Sequence, residues 1–371
     1  MCLRETARHP CPSGRQIGYG GPMRRPRVSV CRVIHAKDLR ESVWAAVERA
    51  MVLAGWMDSI PRGANVALKP NLGWDLFLPG AVTSPWVVEG VIRTIRPHVG
   101  ELFLIESDQV VVDVNKAFAQ SGLDRVCRAY DVRWVNMTHL PLVEVEVPQP
   151  RALPKIAVPE ILLRTVLVTI PVMKTHNKTT ITGALKNQWG CLPMFRHQYH
   201  LVLDAALADI NQVVRPQFAV MDATVALEGN SPKSGIPRIV DRVLASSDPV
   251  ALDSVAAYLM GFAPSQIGHL QECAAVGLGQ ATLDEIEMLG DPAEPLSPPF
   301  IPARHNLVSR MELVLRRNAR LRPWFFDTPL FRVCCGLTLL YYDVWYYVLG
   351  IGRRRRDAVL RSAYGAQWQL R

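Results

Sequence analysis

The chain predicts an α/β protein of two lobes with mostly parallel sheets, a cleft between them, and a hydrophobic, basic helical appendage at the C-terminal end. Three observations carry that expectation. From Arg27 onward short apolar runs alternate with amphipathic stretches, the pattern of strands joined by crossover helices. With 49% hydrophobic and 20% charged residues, the 371-residue chain can bury one large core or two modest ones. Past Leu289 the pattern breaks at Pro292, Pro295, Pro298, Pro299 and Pro302, and an aromatic, apolar segment follows.

In order along the chain, residues 1–24 are rich in Pro, Gly and Arg without periodicity and read as a disordered tail, with Met23 as a possible true start. The first lobe is expected over 25–155. Its strands fall at 27–33, 65–69, 101–106, 133–136 and 143–147, with helices near 41–54, 85–95 and 115–121. Ser84-Pro85 supplies an N-cap and a first-turn proline, and Gly122 a C-cap. The second lobe, 156–290, has strands at 165–170, 218–222 and 239–245 and helices at 201–214 and 249–260. Asp248-Pro249 opens the last of these with a carboxylate at its positive end, worth roughly 0.3–1 kcal/mol. A Pro-rich, then basic, linker spans 291–330, and 331–371 forms the hydrophobic, Arg-flanked C-terminal segment.

Residues 331–352 are close to the ~20 that a membrane span needs. Asp343 near the middle, with Tyr341, Tyr342, Trp345, Tyr346 and Tyr347 around it, favours the bilayer interface over its centre. Arg353 to Arg356 suit an anionic cytoplasmic leaflet. An in-plane or re-entrant anchor at the cytoplasmic membrane face is therefore expected, against the plainer reading of a buried or dimer-forming helix. The net charge of +9 gathers at the two ends. No helix-turn-helix, ribonucleoprotein or zinc-finger signature accompanies it, which speaks against nucleic acid. Eight cysteines show no C-x-x-C pair, so neither structural zinc nor an iron–sulfur cluster is expected, and reduced thiols in a cytoplasmic setting are.

The chemistry concentrates behind the 165–170 run. Pro171 ends that strand, and Lys174, His176, Lys178, Thr179, Thr180, Thr182, Gly183, Lys186 and Asn187 follow within seventeen residues. Positive charges, hydroxyls and a helix start near Ala184 are the means by which a carboxylate or phosphate is held. A lysine crowded by cations also releases its proton more readily, which suits proton abstraction or imine formation. Lys69 and Asn71, fixed by Pro70 at another strand end, join the binding set with Thr180, Thr182, Asn187 and Asp222. Lys174, His176, Lys186 and Glu228 are the expected catalytic groups, Glu228 from a Gly- and Pro-containing loop. A metal is a further possibility, with His176, His200 and Asp222 as candidate ligands; His197 and His200 lie three apart. Asp248 is expected to cap a helix and Asp253 to orient a neighbour. Neither a G-x-x-x-x-G-K-[ST] loop nor a G-x-G-x-x-G turn is present, so no nucleotide is expected.

Five segments in order carry a resemblance. They are Lys69-Pro-Asn71, Ile170-Pro-Val-Met-Lys174-Thr-His176, Thr182-Gly-Ala-Leu-Lys186-Asn187 with Gly190, Asp222-Ala-Thr-Val-Ala-Leu-Glu228-Gly-Asn-Ser-Pro232 with Gly235, and Ser246-Ser-Asp248-Pro-Val-Ala-Leu-Asp253. Over about 65–279 the chain resembles the domain-of-unknown-function 362 family. That resemblance implies a two-lobed α/β domain, often joined to a ferredoxin-like iron–sulfur module for which this chain has no cysteine cluster. The layout is also distantly similar to the lactate racemase family, at the level of architecture. The resulting expectation is an enzyme binding a small anion, racemase- or isomerase-like or an oxidoreductase acting next to a carboxylate. The rival is a non-catalytic, membrane-associated protein that binds an anion or cofactor. A homo-oligomer is compatible with either.

Overall fold

The computed structural model describes residues 25–304, 314–318, 320 and 328–369; the tail expected at 1–24 and most of the basic stretch before 328 lie outside the described residues. The strands are β1 (Arg27–Arg32), β2 (Val66–Pro70), β3 (Leu102–Glu106), β4 (Arg133–Asn136), β5 (Leu142–Glu146), β6 (Lys155–Pro159), β7 (Val166–Ile170), β8 (Val172–His176), β9 (Thr180–Thr182), β10 (Phe218–Asn230), β11 (Ser234–Ser246) and β12 (Glu287–Gly290). Ten of them form one sheet in the order β12-β1-β11-β10-β7-β2-β3-β4, with β8 paired to β10 and β9. Strands from both expected lobes thus share this sheet, because β7 lies parallel to β2 over five residue pairs. β5 and β6 form a separate antiparallel pair.

The parallel centre reads as continuous apolar sequence because both of its faces are covered. Leu68, Leu104 and Val168 face a core built with helices Leu39–Leu53 and Pro85–Ile95. Their neighbours Ala67, Phe103 and Leu167 face a second core with helix Leu203–Val213. From β2 the chain winds outward to β3 and β4, then returns to place β7 on the other side of β2. The β2/β7 boundary is therefore a topological switch point, where the connections leave to opposite faces and open a crevice beyond the strands' carboxyl ends.

Two segments outside the expected strands are strands. The polar stretch after Pro171 is the β8–β9 hairpin, in which Lys174 pairs with Thr182 and His176 with Thr180. Residues 223–230 continue β10, so Glu228 lies in a strand and not in a loop, opposite Ile236 of β11. The alternation Ala-Thr-Val-Ala-Leu is weak alone. It is fixed by pairing with β8 and by packing of Leu227 against Trp74 and Leu78.

The C-terminal region is helical: Pro329–Leu340, a π-helical stretch Tyr341–Val348, and Ile351–Leu360. Among the described residues no single helix is long and apolar enough to cross a membrane. One pair, Val333–Val348 with Ile351–Leu360, passes by length and composition together and is bent by 57°. One face of this region is tied to the body. Tyr347 Oη donates to the Lys233 carbonyl at 2.8 Å and accepts from Trp74 Nε1 at 2.9 Å. Arg355 Nη1 donates to the Ser234 carbonyl at 2.8 Å, and Tyr364 Oη to Asp241 at 2.7 Å.

Candidate functional site: a buried lysine cluster

At the switch point the sheet presents charge where apolar side chains would pack best. Lys69, next to last in β2, is fully buried, and its ammonium donates to Glu106 Oε2 at 2.7 Å from the end of β3. Glu106 also accepts from the Ser107 N–H at 3.0 Å. Gly190 closes this pair, since a Cβ there would collide with Glu106 Oε1 and come within 2.8 Å of Lys69 Nζ.

Beside it lies an amide ladder. Asn187 Nδ2 donates to the Lys69 carbonyl at 3.1 Å and to Thr169 Oγ1 at 2.9 Å, while its Oδ1 accepts from Asn71 Nδ2 at 3.0 Å. Asn71 Oδ1 in turn accepts from Lys174 Nζ at 2.6 Å, and the Ala81 carbonyl accepts from the same ammonium at 3.1 Å. The ladder fixes the carboxyl ends of β2 and β7 relative to each other. It also satisfies Lys174 with neutral acceptors only. Burial, then the charge of Lys186, lowers Lys174 to about 7.

Lys186 sits in the short helix Ala184–Asn187, whose first N–H groups are held by a carboxylate. Asp253 accepts from the Ala184 N–H at 2.7 Å and the Leu185 N–H at 3.0 Å, the orienting role expected of it. Gly183 permits this approach, because a side chain would strike that carboxylate. Burial pushes Asp253 up to about 7 against those two hydrogen bonds. Among the described residues Lys186 Nζ has no hydrogen-bond acceptor or ion-pair partner. Burial, then Lys178, Arg196 and Lys69, lowers it to about 7.

His176, partly accessible, accepts from the Lys178 N–H through Nδ1 at 3.1 Å. Burial and then Lys186, Lys178 and Lys174 hold it well below the ordinary histidine range, so it is neutral. Lys178 Nζ lies 2.8 Å from His200 Nδ1, and the His200 ring stacks on Trp189. Among the described residues the buried Thr182 hydroxyl has no partner; Thr180 is exposed, with φ of 62°. The buried Arg196 donates to the Leu192 carbonyl at 2.6 Å and the Asp108 carbonyl at 3.0 Å, and among the described residues its Nε has no partner.

The cluster thus gathers Lys69, Asn71, Lys174, His176, Thr182, Lys186 and Asn187. Four expected members stand apart from it: the exposed Thr180, His200 beside Lys178, Glu228 and Asp222. Glu228 is braced by Arg238 at 3.1 Å and the Ile301 N–H at 3.3 Å. Asp222 is buried and holds the Ser84 N–H at 2.7 Å and the Thr224 hydroxyl at 2.7 Å, which stabilises the entry to helix Pro85–Ile95. Burial raises its pKa. His200 is occupied with Lys178, and among the described residues no three His, Cys, Asp or Glu side chains converge as metal ligands.

Glu106 and Arg196 were not anticipated. Glu106 had a signal, a charged residue closing the apolar run Leu-Phe-Leu-Ile just as Lys69 closes Val-Ala-Leu. Arg196 had none, since its burial depends on a 3-10 turn over Met194–Val202 that no pattern announces. Two surface depressions of about 310 and 420 Å³ lie elsewhere, lined by residues such as Arg96 and Arg133 or Phe118 and Trp134.

Four basic side chains thus gather here: Lys69, Lys174 and Arg196 are buried around one buried carboxylate, Glu106, and the half-buried Lys186 lies beside them. Such a site favours an anion, which would supply the missing charge, and it can hold or release protons near neutrality.

Comparison with known proteins agrees with the motif order. Thylakoid-associated protein sll1697 of Synechocystis sp. is 26% identical over 265 residues, covering 65% of this chain and 77% of that protein. The family described as a domain of unknown function, DUF362, matches residues 66–258, which include every residue of the lysine cluster. The chain belongs to this DUF362 family.

Proposed function

We propose that the lysine cluster binds a small carboxylate- or phosphate-bearing molecule and that the protein is an enzyme acting on it. The observation that carries this reading is the excess of buried cations over Glu106 at a topological switch point. Lys69 and Arg196 would hold the anion, with Asn71 and Asn187 setting the geometry. Lys186, without an acceptor of its own, would exchange protons with the carbon next to the anionic group, and Lys174 or neutral His176 would serve the opposite face. That division of labour suits an isomerase, a racemase or an oxidoreductase acting next to a carboxylate.

The test is calorimetric titration of the full chain with oxalate and with inorganic phosphate in an uncharged buffer, repeated on Lys186→Met. Binding that weakens at least tenfold in the variant supports the reading. Equal binding by both proteins, or none by either, overturns it.

We also propose peripheral association with the cytoplasmic face of a membrane. The relative's name places that protein at the thylakoid, and the bent helical pair supplies apolar length. Under the rival, non-catalytic reading the cluster only carries its anion at that membrane. His176→Ala separates the two: an enzyme loses turnover while keeping its ligand, whereas a carrier changes only in affinity.

A further inference from the structure

The C-terminal helical region has two unlike faces. The inner one carries Tyr342, Tyr346 and Tyr347, which pack against Trp74 and its surroundings and hydrogen-bond to the body. The outer one carries Val333, Leu337, Leu340, Trp345, Val348 and Leu349, each 55–66% exposed. The steps of four and three residues in the α-helical part match its 3.6-residue turn. Leu340, Trp345 and Leu349, spaced five and then four residues, match the wider turn of the π-helical stretch over Tyr341–Val348, and Val348 flanks them. The change of helix type therefore keeps one apolar stripe continuous, where an α-helix would rotate it off the line. From Val333 to Leu349 it runs for roughly 20 Å at helical rise. Beyond the 57° bend stand the exposed Arg353 and Arg354.

We propose that this outer face is a docking surface for an anionic lipid bilayer, lying in the membrane plane and not crossing it. The proposal rests on the peripheral-association reading above and is independent of the lysine site. An apolar stripe ending in a cationic cluster matches the acyl and headgroup layers of a negatively charged leaflet, each with its own part of the surface. The inner face is committed to the protein through Tyr346, Tyr347 and Arg355, so the segment cannot leave the body to span. Asp343 is exposed on the same stretch, which an in-plane helix tolerates at the headgroup level and a spanning helix does not.

Flotation of the full chain with vesicles of pure phosphatidylcholine, and with vesicles containing phosphatidylglycerol, tests this. The expected result is flotation with the anionic vesicles alone, lost in Leu337→Glu with Trp345→Glu. Arg353→Gln with Arg354→Gln should weaken it roughly tenfold or more. The substituted side chains are exposed, and an unchanged thermal transition verifies that each variant is folded. Equal flotation with neutral vesicles, or flotation unaffected by the outer-face change, overturns the proposal. So does a stable dimer without vesicles that the outer-face change dissociates, which would assign the stripe to a second copy. Resistance to alkaline carbonate extraction from the anionic vesicles would overturn the in-plane geometry. None of these outcomes alters anion binding by Lys186, so failure here is distinct from failure of the lysine site.

Discussion

Two lysines lowered to about 7 have a thermodynamic signature that the protein without added ligand must display. An unfolded chain holds each of these protons up to the ordinary lysine value of 10.5, whereas the folded chain releases them near 7. Between those values the unfolded state binds more protons, so stability rises with pH; below about 7 both states are protonated and the full penalty remains. Integrated from about pH 7 to pH 8.5, the difference contributes about 1.6 kcal/mol per lysine. The competing titrations lie mostly outside this window and are common to all three proteins. Asp253, raised to about 7, and Asp222, also raised, lower stability as pH rises above their ordinary value of 3.8, and only the upper end of Asp253 enters the window. The buried thiols Cys31, Cys127 and Cys191, also raised, act in the same sense only above their ordinary value of 9.0. His176, lowered, has delivered most of its gain by the ordinary value of 6.5. Urea unfolding at the two pH values, on the parent and on Lys174→Met and Lys186→Met, measures the slope. Each variant should lose about 1.6 kcal/mol of the rise, whatever its stability at one pH. Lys174→Met also strands Asn71 Oδ1 and the Ala81 carbonyl, but that cost is constant with pH. Identical slopes in all three proteins would refute the claim that these ammonium groups are desolvated.

Three further outcomes follow from the same contacts. Glu106→Gln leaves Lys69 buried without its counter-charge and should destabilise by about 3–5 kcal/mol, much of it recovered when Lys69→Met is added, as urea unfolding will measure. Asp253→Ala removes the acceptor for two buried N–H groups and should cost about 1–3 kcal/mol. In that background Gly183→Ala should be far milder than in the parent, because the carboxylate it would strike is gone. Tyr347→Phe breaks the link from the C-terminal region to Trp74, at about 1 kcal/mol, and should accelerate amide exchange over 72–82, the loop that supplies the Ala81 carbonyl to Lys174.

The α/β class was legible because the central strands are buried on both faces and therefore read as unbroken apolar runs. What hid the single sheet was its order: β7 joins β2 across a hundred residues, and parallel pairing leaves no local trace comparable to a hairpin turn. The β8–β9 hairpin was hidden differently. Lys174, Thr175, His176, Thr180 and Thr182 are all polar, so no alternation of apolar and polar side chains announced the two strands. The same substitution of chemistry for propensity explains Glu228, read as a loop residue from the glycine and proline near it though it lies in a strand ordered by its partners.

The candidate site divides along the same line. Lys69, Asn71, Lys174, Lys186 and Asn187 were legible because charge or amide closing an apolar strand, or just behind one, costs stability unless something repays it. Sequence could not tell which lysine would find an acceptor. Lys69 has Glu106 and Lys174 has Asn71, so each is held by a group from another strand or from the loop behind one. Lys186 is left over, and its position depends on a one-turn helix fixed by Asp253 from far along the chain. Which lysine is left without an acceptor therefore depends on long-range pairing. It makes Lys186 the residue whose replacement should remove ligand binding while sparing the amide ladder that Asn187 and Asn71 build without it.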